Sequence, residues 1–328
     1  MVRQKLIIQI PCLDEEASLP GMLADLPREV PGFDVVEWLI IDDGSTDRTV
    51  EVARECGVDH VVSHGRNRGL AAAFLTGLDA ALRLGASVVV NTDADNQYRA
   101  AFIPLLTAPV LAGTADIVVG ERPIESTDEF SGVKKRLQRL GSSVVRFASH
   151  TPVRDAASGF RAISREAALR LRVHNRYTYT LETLIQAGAE GLVVTSVPIE
   201  TNPVHRPSRL VKNSASYVVR SMKVIVRSYS IYRPFRFFSL IAAAPFLVGT
   251  GLLVRWLWYF VTADTYRSRL PSLLGGIVMV LLAGQVMMVA FLADVVAASR
   301  RVVEDEALAR RRRELGEPSG GASDHLDV

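Results

Sequence analysis

Two acidic clusters stand where a short apolar run gives way to a turn. Ile40-Ile-Asp42-Asp43-Gly44-Ser45-Thr-Asp47 follows one run, and Asn91-Thr-Asp93-Ala-Asp95-Asn-Gln97 follows another. In an extended turn Asp93 and Asp95 point the same way, because side chains alternate with a period of two. Carboxylates held together repel unless a cation lies between them. Hard oxygen donors with open positions suit Mg²⁺ or Mn²⁺, which also take diphosphate oxygens. Gln97 could add a neutral ligand, and the lack of Cys or His in the cluster argues against zinc. A lone Asp-x-Asp is weak evidence, since turns favour aspartate. Two acidic clusters at successive strand ends of one sheet are harder to dismiss. Gly65-Arg-Asn-Arg-Gly69 does not make the Gly-x-Gly-x-x-Gly fingerprint, and no Walker-type loop is present. A diphosphate would then be met by a metal and basic side chains. Arg66 and Arg68 could serve, or could be solvated loop charges.

The elements that must position these residues are legible around them. Leu6-Ile-Ile-Gln-Ile10, Val36-Glu-Trp-Leu-Ile-Ile41, Ser87-Val-Val-Val-Asn91 and Asp116-Ile-Val-Val-Gly120 read as strands buried on both faces. Thr46–Cys56 and Leu70–Leu84 read as helices, with Ser45 or Thr46 as cap of the first and Gly57 and Gly85 as stops. Such alternation predicts an α/β fold, a mostly parallel sheet with right-handed crossovers sandwiched by helices. In sheets of this kind ligands gather at the carboxyl ends of the strands, where both acidic clusters fall.

The chain has 328 residues, 48% of them hydrophobic and 22% charged, which excludes a disordered protein. Its formal net charge of +3 is too small to argue for nucleic acid. Cys12 and Cys56 cannot build a disulfide framework, which fits a reducing compartment. The first residues lack the apolar core of a secretory signal, so the expectation is a chain that begins and folds in the cytosol.

Past about Pro207 the composition changes. Phe237–Val254 and Leu270–Ala293 carry no charge, and each is long enough to cross a hydrocarbon core of about 30 Å. The alternative is a pair of buried helices in a large soluble domain. The short connection Thr262–Arg269 predicts a hairpin. Arg233 and Arg236 before it, with Arg300, Arg301 and Arg310–Arg313 after it, place both outer ends in the cytoplasm; Arg267 and Arg269 in the loop weaken that bias without reversing it. Arg255 would snorkel or pair within an assembly, and Trp256, Trp258 and Tyr259 beside it suit an interfacial belt. Ser214–Tyr232 sets Val218, Val219, Met222, Ile225 and Val226 against Arg220, Lys223 and Arg227 at helical spacing. It reads as an amphipathic helix in the headgroup layer, or as a domain-packing helix. The expected organisation is a cytosolic catalytic domain over 1–212 and a juxtamembrane segment over 213–236. Transmembrane helices follow over 237–261 and 270–296, then a charged cytosolic tail over 297–328 with a disordered end. The protein would be a multi-pass protein of the cytoplasmic membrane, and a second copy could associate through the spans.

Six motifs occur in order: Pro11-Cys-Leu-Asp14-Glu15-Glu16, Asp42-Asp-Gly-Ser-Thr-Asp47, Arg68-Gly-Leu-Ala-Ala-Ala-Phe-Leu-Thr-Gly77, Thr92-Asp-Ala-Asp-Asn-Gln97, Gly120-Glu-Arg122 and Asp155-Ala-Ala-Ser-Gly-Phe-Arg161. Over about residues 5–215 the set resembles the family-2 inverting glycosyltransferases of GT-A fold. More narrowly, it is similar to the polyprenyl- or dolichyl-phosphate sugar synthases with a two-helix anchor. The resemblance implies a nucleoside-diphosphate sugar donor, a polyprenyl-phosphate acceptor, and Mg²⁺ or Mn²⁺ held by Asp93, Asp95 and Gln97. It implies donor contacts at Pro11, Asp14, Glu16, Asp42, Asp43, Arg68, Ala94, Arg206 and Arg209. Arg122 and Arg136 would receive the acceptor phosphate, with Arg139 competing for the place of Arg136. Asp155 would face the reacting centre, and Ser158 to Arg161 would shape the sugar pocket. His205-Arg206-Pro-Ser208-Arg209 is similar to the family's mobile basic segment over the nucleotide diphosphate, with Pro207 at the glycine position and Arg209 in place of lysine in the usual Arg-x-Gly-x-Ser-Lys.

Bland readings stand beside these. Asp14-Glu-Glu16 could cap the following helix. His64, His150 and His174 read as ordinary loop residues, and Gly44 and Gly159 as turn formers. Tyr177–Glu182 reads as a helix start with pocket-lining aromatics, and Glu182 could touch sugar hydroxyls. A family-2 enzyme that glycosylates a hydroxyl, or an inactive membrane scaffold, are the rival functions. The Gln-x-x-Arg-Trp motif of processive synthases is absent, because Leu252 precedes Arg255-Trp256 in the span.

Overall fold

The computed structural model describes residues 3–123, 146, 151–173, 179–202, 214–262 and 270–316. They fall into two compact units, Met1–Ser228 with Leu308–Val328, and Tyr229–Ala307.

The first unit is built on a seven-stranded sheet: β1 (Lys5–Cys12), β2 (Val35–Asp42), β3 (His60–Ser63), β4 (Val88–Asn91), β5 (Ile117–Glu121), β6 (Arg161–Ser164) and β7 (Val194–Pro198). Its order is β3-β2-β1-β4-β6-β5-β7. β1 pairs in parallel with β2 and β4, as do β2 with β3 and β5 with β7; β6 alone runs antiparallel to both neighbours. Leu6, Ile7, Ile8 and Ile10 are all buried, so alternate side chains of β1 meet apolar layers on both faces. The four apolar runs expected as strands form β1, β2, β4 and β5 to within a residue or two.

The helices over this sheet are α1 (Leu19–Asp25), α2 (Thr49–Glu55), α3 (Leu70–Arg83), α4 (Ile103–Leu111), α5 (Arg165–Arg170) and α6 (Thr180–Ala189). α3 packs its apolar stripe, including Ala73, Phe74, Gly77, Leu78 and Ala81, inward. Gly57 and Gly85 follow the ends of α2 and α3 with φ of +75° and +84°, conformations that glycine adopts without a Cβ clash. The start of α2 corrects the sequence reading. Neither Ser45 nor Thr46 caps it, and the helix begins at Thr49. Both residues are engaged elsewhere: Ser45 Oγ accepts from Asp14 N at 2.9 Å, and Thr46 N donates to Asp14 Oδ1 at 2.8 Å.

α7 (Ser214–Tyr232) forms where the amphipathic pattern predicts it. α8 (Pro234–Thr262) and α9 (Leu270–Glu314) are the two long apolar helices. Only 11% and 17% of their most apolar windows are buried, whereas a soluble core helix would be mostly covered. Against the soluble alternative, Leu240, Leu247 and Phe260 are each more than two-thirds exposed. The helices meet along small residues. Ala242 and Gly249 on α8, and Gly276, Ala283, Ala290 and Ala297 on α9, recur every seventh position and are the buried ones apart from Pro234. A Cβ on Gly249 would lie 2.9 Å from Gly276 O, so the close approach requires glycine there.

α9 does not stop near residue 296. Ion pairs one turn apart, Arg300–Glu304 at 3.3 Å and Arg310–Glu314 at 3.0 Å, carry it on to Glu314. Its last turns belong to the first unit. There Arg311 reaches Asp79 Oδ1 at 2.9 Å and Leu169 O at 3.1 Å, and Arg312 pairs with Glu166.

Candidate active site

From β1 the chain builds β2 and β3 on one side, and β4 opens the other side. The β1–β4 neighbourhood is therefore a switch point, where the carboxyl ends of parallel strands leave a crevice. Pro11 and Cys12 end β1, Asp42 ends β2, and Asn91 ends β4 just before Asp93.

The β2 cluster is committed to the protein itself. Asp42 and Asp43 are buried, and Asp42 Oδ1 accepts from Ser45 N at 2.8 Å. Asp43 Oδ1 accepts from Arg68 N at 2.9 Å and lies 2.7 Å from His64 Nδ1, while Oδ2 accepts from Gly69 N at 2.8 Å. His64 Nε2 in turn lies 2.9 Å from Thr76 Oγ1. His64 is thus a buried link that fixes the Gly65–Gly69 turn, not an ordinary loop residue. Through its backbone Arg68 belongs to this turn, and its side chain is exposed. Gly44 has φ +82°, and a Cβ there would stand 2.7 Å from the Arg66 carbonyl carbon.

Asp14 and Glu16 are laced to the loop after β2. Asp14 takes φ +52°, its carboxylate accepts from Thr46, and Glu16 Oε2 accepts from Arg48 N at 3.0 Å. The capping reading of this acidic run fails, because α1 starts after Ser18 with no side-chain cap.

The β4 cluster behaves differently. No hydrogen bond to the Asp93 carboxylate is found among the described residues. Desolvation, with the Asp95 charge second, pushes its carboxyl up to about 7, against the opposing pull of Arg122 and Arg161. Asp95 is exposed, and its Oδ1 accepts from Gln97 N at 3.1 Å. Ala94 is buried between them. An acid that hydrogen bonds do not stabilise, next to a second carboxylate, fits a hard divalent cation with open positions for diphosphate oxygens. No group of three acidic, His or Cys side chains suited to a metal occurs among the described residues, so the protein would supply few ligands.

The wall opposite Asp93 is Gly159. A Cβ on it would lie 2.9 Å from Tyr179 Oη and 3.2 and 3.3 Å from the two Asp93 oxygens. Its peptide is gripped from both sides: Gly159 N donates to Tyr98 Oη at 3.0 Å, and Gly159 O accepts from Asn91 Nδ2 at 2.8 Å. Asn91 also donates to Tyr179 Oη at 2.8 Å and accepts from Gln9 Nε2 at 2.8 Å. Gly159 is needed for close approach, not for a turn.

Arg122, just beyond β5, forms a bidentate pair with Asp155: Nε to Oδ2 at 2.6 Å and Nη2 to Oδ1 at 3.0 Å. Asp155 is fully buried, and both its oxygens are taken up by this fork. Nη1 of Arg122 has no partner among the described residues. Arg161, 1% exposed, donates to Ser158 O, Ala156 O, Thr180 O and Thr183 Oγ1 at 2.7 to 3.0 Å. It ties the Asp155 loop to α6, where Glu182 is buried in the first turn. Arg136, Arg139, Arg206 and Arg209 lie outside the described residues, as do His150, His174, His205 and Tyr177.

Sequence reasoning assigns no role to Asn91 and Tyr98, reads His64 only as a loop residue, and places Tyr179 among pocket-lining aromatics without its partners. A signal exists for one of them, since Asn91 and its register partner Gln9 are amides inside runs of Val and Ile that are buried on both faces.

A mostly parallel sheet wrapped by helices, with acidic residues in the crevice at its strand ends, is the GT-A architecture. Solved structures share it. Glucosyl-3-phosphoglycerate synthase from Mycobacterium tuberculosis, in complex with Mn²⁺, uridine-diphosphate-glucose and phosphoglyceric acid, matches with a TM-score of 0.56 over 69% of this chain and 80% of that one, at 22% identity. The same enzyme with Mg²⁺ and uridine-diphosphate matches at 0.52 over 68% and 79%, at 22% identity. The profile of glycosyl transferase family 2 matches residues 7–172, and the chain belongs to that family. It is 30% identical to UDP-N-acetylglucosamine--dolichyl-phosphate N-acetylglucosaminyltransferase of Methanococcus voltae, across 61% of this chain and 87% of the relative. It is 29% identical to polyprenol monophosphomannose synthase of Mycolicibacterium smegmatis, across 60% and 77%.

Proposed function

We propose that this glycosyltransferase moves a sugar from a nucleoside-diphosphate sugar to a polyprenyl phosphate, inverting the anomeric carbon, at the cytoplasmic face of a membrane. The observation that carries this reading is the pairing, in one catalytic unit, of an unbonded Asp93 carboxylate and a guanidinium locked by Asp155. The acceptor chemistry of the polyprenyl- and dolichyl-phosphate relatives supports it.

A divalent cation held by Asp93, Asp95 and Gln97 would neutralise charge developing on the departing diphosphate. Asp93 would take that role in its deprotonated form. Asp155 holds Arg122 in one orientation, and the remaining Nη1 is left to meet an anionic oxygen, together with Arg136 or Arg139. With both oxygens engaged, Asp155 is poorly placed as a general base. A hydroxyl acceptor would need one, whereas a phosphate monoester is already ionised near neutral pH. Attack from the face opposite the leaving group inverts the configuration in one displacement. Asp42, with Cys12 beside it in register and Pro11 one position before, would floor the donor side. A polyprenyl chain stays in lipid and offers only its phosphate at the surface, so α8 and α9 would hold the catalytic unit within reach of the headgroups.

The test supplies membranes containing the protein with polyprenyl phosphate and one radiolabelled nucleotide sugar at a time, with and without chelator. An organic-soluble, mild-acid-labile labelled lipid, lost on chelation, is expected. Label appearing only in a water-soluble glycan would overturn the reading.

A further inference from the structure

The loop carrying Asp95 and Gln97 stands out past the end of β4, where two carboxylates repel and nothing in the ladder restrains them. It is restrained from outside the sheet. Past β7 the parallel pairing with β5 runs one bond further, Ile199 N donating to Glu121 O at 3.0 Å. Thr201 then makes an antiparallel bridge with Tyr98, and Glu200 pairs with Arg99. The next residue reaches the loop itself. Asn202 N donates to Gln97 O at 2.9 Å, and Asn202 Nδ2 donates to Asn96 O at 2.9 Å. One side chain and its own peptide thus hold two successive carbonyls of the loop.

The residue held this way sits in an unusual conformation. Asn96 has φ +55°, a left-handed geometry that asparagine tolerates better than most residues. A second support comes from the other side, where Asn96 Nδ2 donates to Asp25 Oδ2 on α1 at 2.8 Å. Asn96 is fixed at both its carbonyl and its side chain, with Asp95 before it and Gln97 after it.

We propose that Asn202 is a positioning residue of the cation site, holding Asp95 and Gln97 through the backbone of Asn96 and Gln97, with Asp25 as the lesser brace. The proposal rests on the assignment of Asp93, Asp95 and Gln97 as cation ligands made above. Residues that orient ligands from behind alter metal affinity by about 10- to 100-fold when removed. The effect should fall on affinity and not on the chemical step, because these hydrogen bonds go to the loop backbone and the Asn96 side chain and not to the Asp95 or Gln97 side chains.

The experiment titrates Mn²⁺ into the full-length protein in detergent with uridine diphosphate present, followed by the Mn²⁺ electron paramagnetic resonance signal. Wild type, Asn202→Ala, Asp25→Ala and Asp93→Asn are compared, with cation-free melting recorded for each. Asn202→Ala should weaken Mn²⁺ about tenfold or more. Asp25→Ala, an exposed site whose loss does not threaten folding, should weaken it by a few-fold. In turnover, the Mn²⁺ concentration for half activation should rise in both while the rate at saturating Mn²⁺ recovers. If Asp93→Asn abolishes binding but both other variants bind as wild type does, the positioning role is wrong and the cation assignment stands. If wild type and Asp93→Asn bind alike, the cation assignment fails and the proposal falls with it.

Discussion

The two acidic strand ends start from the same sequence device and finish in opposite states. Asp42-Asp43 closes β2 and Asp93-x-Asp95 follows β4, both in the crevice of one sheet. At Asp43 each carboxylate oxygen accepts a backbone N–H, and one of them also meets the His64 ring. At Asp93 no such donor is found among the described residues, and burial raises the carboxyl to about 7. A buried carboxylate that is fully hydrogen-bonded is a structural part, whereas the half-buried Asp93, left without donors, suits a ligand that brings positive charge. The motif alone does not separate these outcomes; the donors facing each oxygen do.

Breaking the comparison at its unbonded end has the largest expected effect. Asp93→Asn should lower transfer by about a thousandfold or more, since on the proposed reading it would remove a direct cation ligand. The same variant should be more stable than wild type without cation at pH 8, and the sign follows from linkage. Between the unfolded value of 3.8 and the folded value of about 7, the native state keeps a proton that the unfolded state has lost. Wild-type stability from this group is therefore complete below about 4 and is lost as pH rises through about 7. Melting curves at pH 5 and 8 in chelator should show that slope in wild type and not in Asp93→Asn. Cation affinity should run the other way, falling about tenfold for each pH unit below 7, because the proton competes for the same carboxylate. A pH-independent Mn²⁺ titration between pH 5 and 7 would remove the distinction between the two ends.

Gly159→Ala sharpens the comparison by crowding the unbonded end without changing its charge. The added methyl would meet Asp93 oxygens at 3.2 and 3.3 Å and the fixed Tyr179 hydroxyl at 2.9 Å. Transfer and Mn²⁺ affinity should both drop, by about 10- to 100-fold, as for other shifts of a ligand's support. Retained wild-type affinity would show that this wall yields.

Much of the fold is legible in the amino-acid sequence alone. The four apolar runs, the two glycine stops and the two uncharged spans follow from local pattern, and each is observed. What escapes such reading depends on contacts between distant segments. β6 runs antiparallel and carries Arg161, whose four hydrogen-bond partners come from the loop before it and from α6. The start of α2 lies later than its pattern suggests because Ser45 and Thr46 bind Asp14, more than thirty positions earlier. Within the site, the residue types at Asp93 and Asp95 announce cation chemistry. The motif draws attention to Asp155, but its bidentate hold on Arg122 is not legible, since pairing across two loops leaves no periodic trace. His64 escapes for the same reason, being identified only by the carboxylate and hydroxyl it joins.

The smallest effect is expected at the bonded end. Asp43→Asn keeps the shape of the side chain, and its oxygen can still accept from Arg68 N. The amide nitrogen that replaces Oδ2 would face the Gly69 N–H, donor against donor, in a buried position. Such a loss costs about 1–3 kcal/mol, and it should appear as a lower urea midpoint in cation-free protein. Because Asp43 acts on the Gly65–Gly69 turn and not on the cation, Mn²⁺ affinity should remain within about twofold of wild type, in contrast to Asp93→Asn. Nucleotide affinity should weaken modestly as the turn bearing Arg68 loosens. An Asp43→Asn protein that unfolds as wild type does but loses Mn²⁺ would reverse the roles of the two clusters.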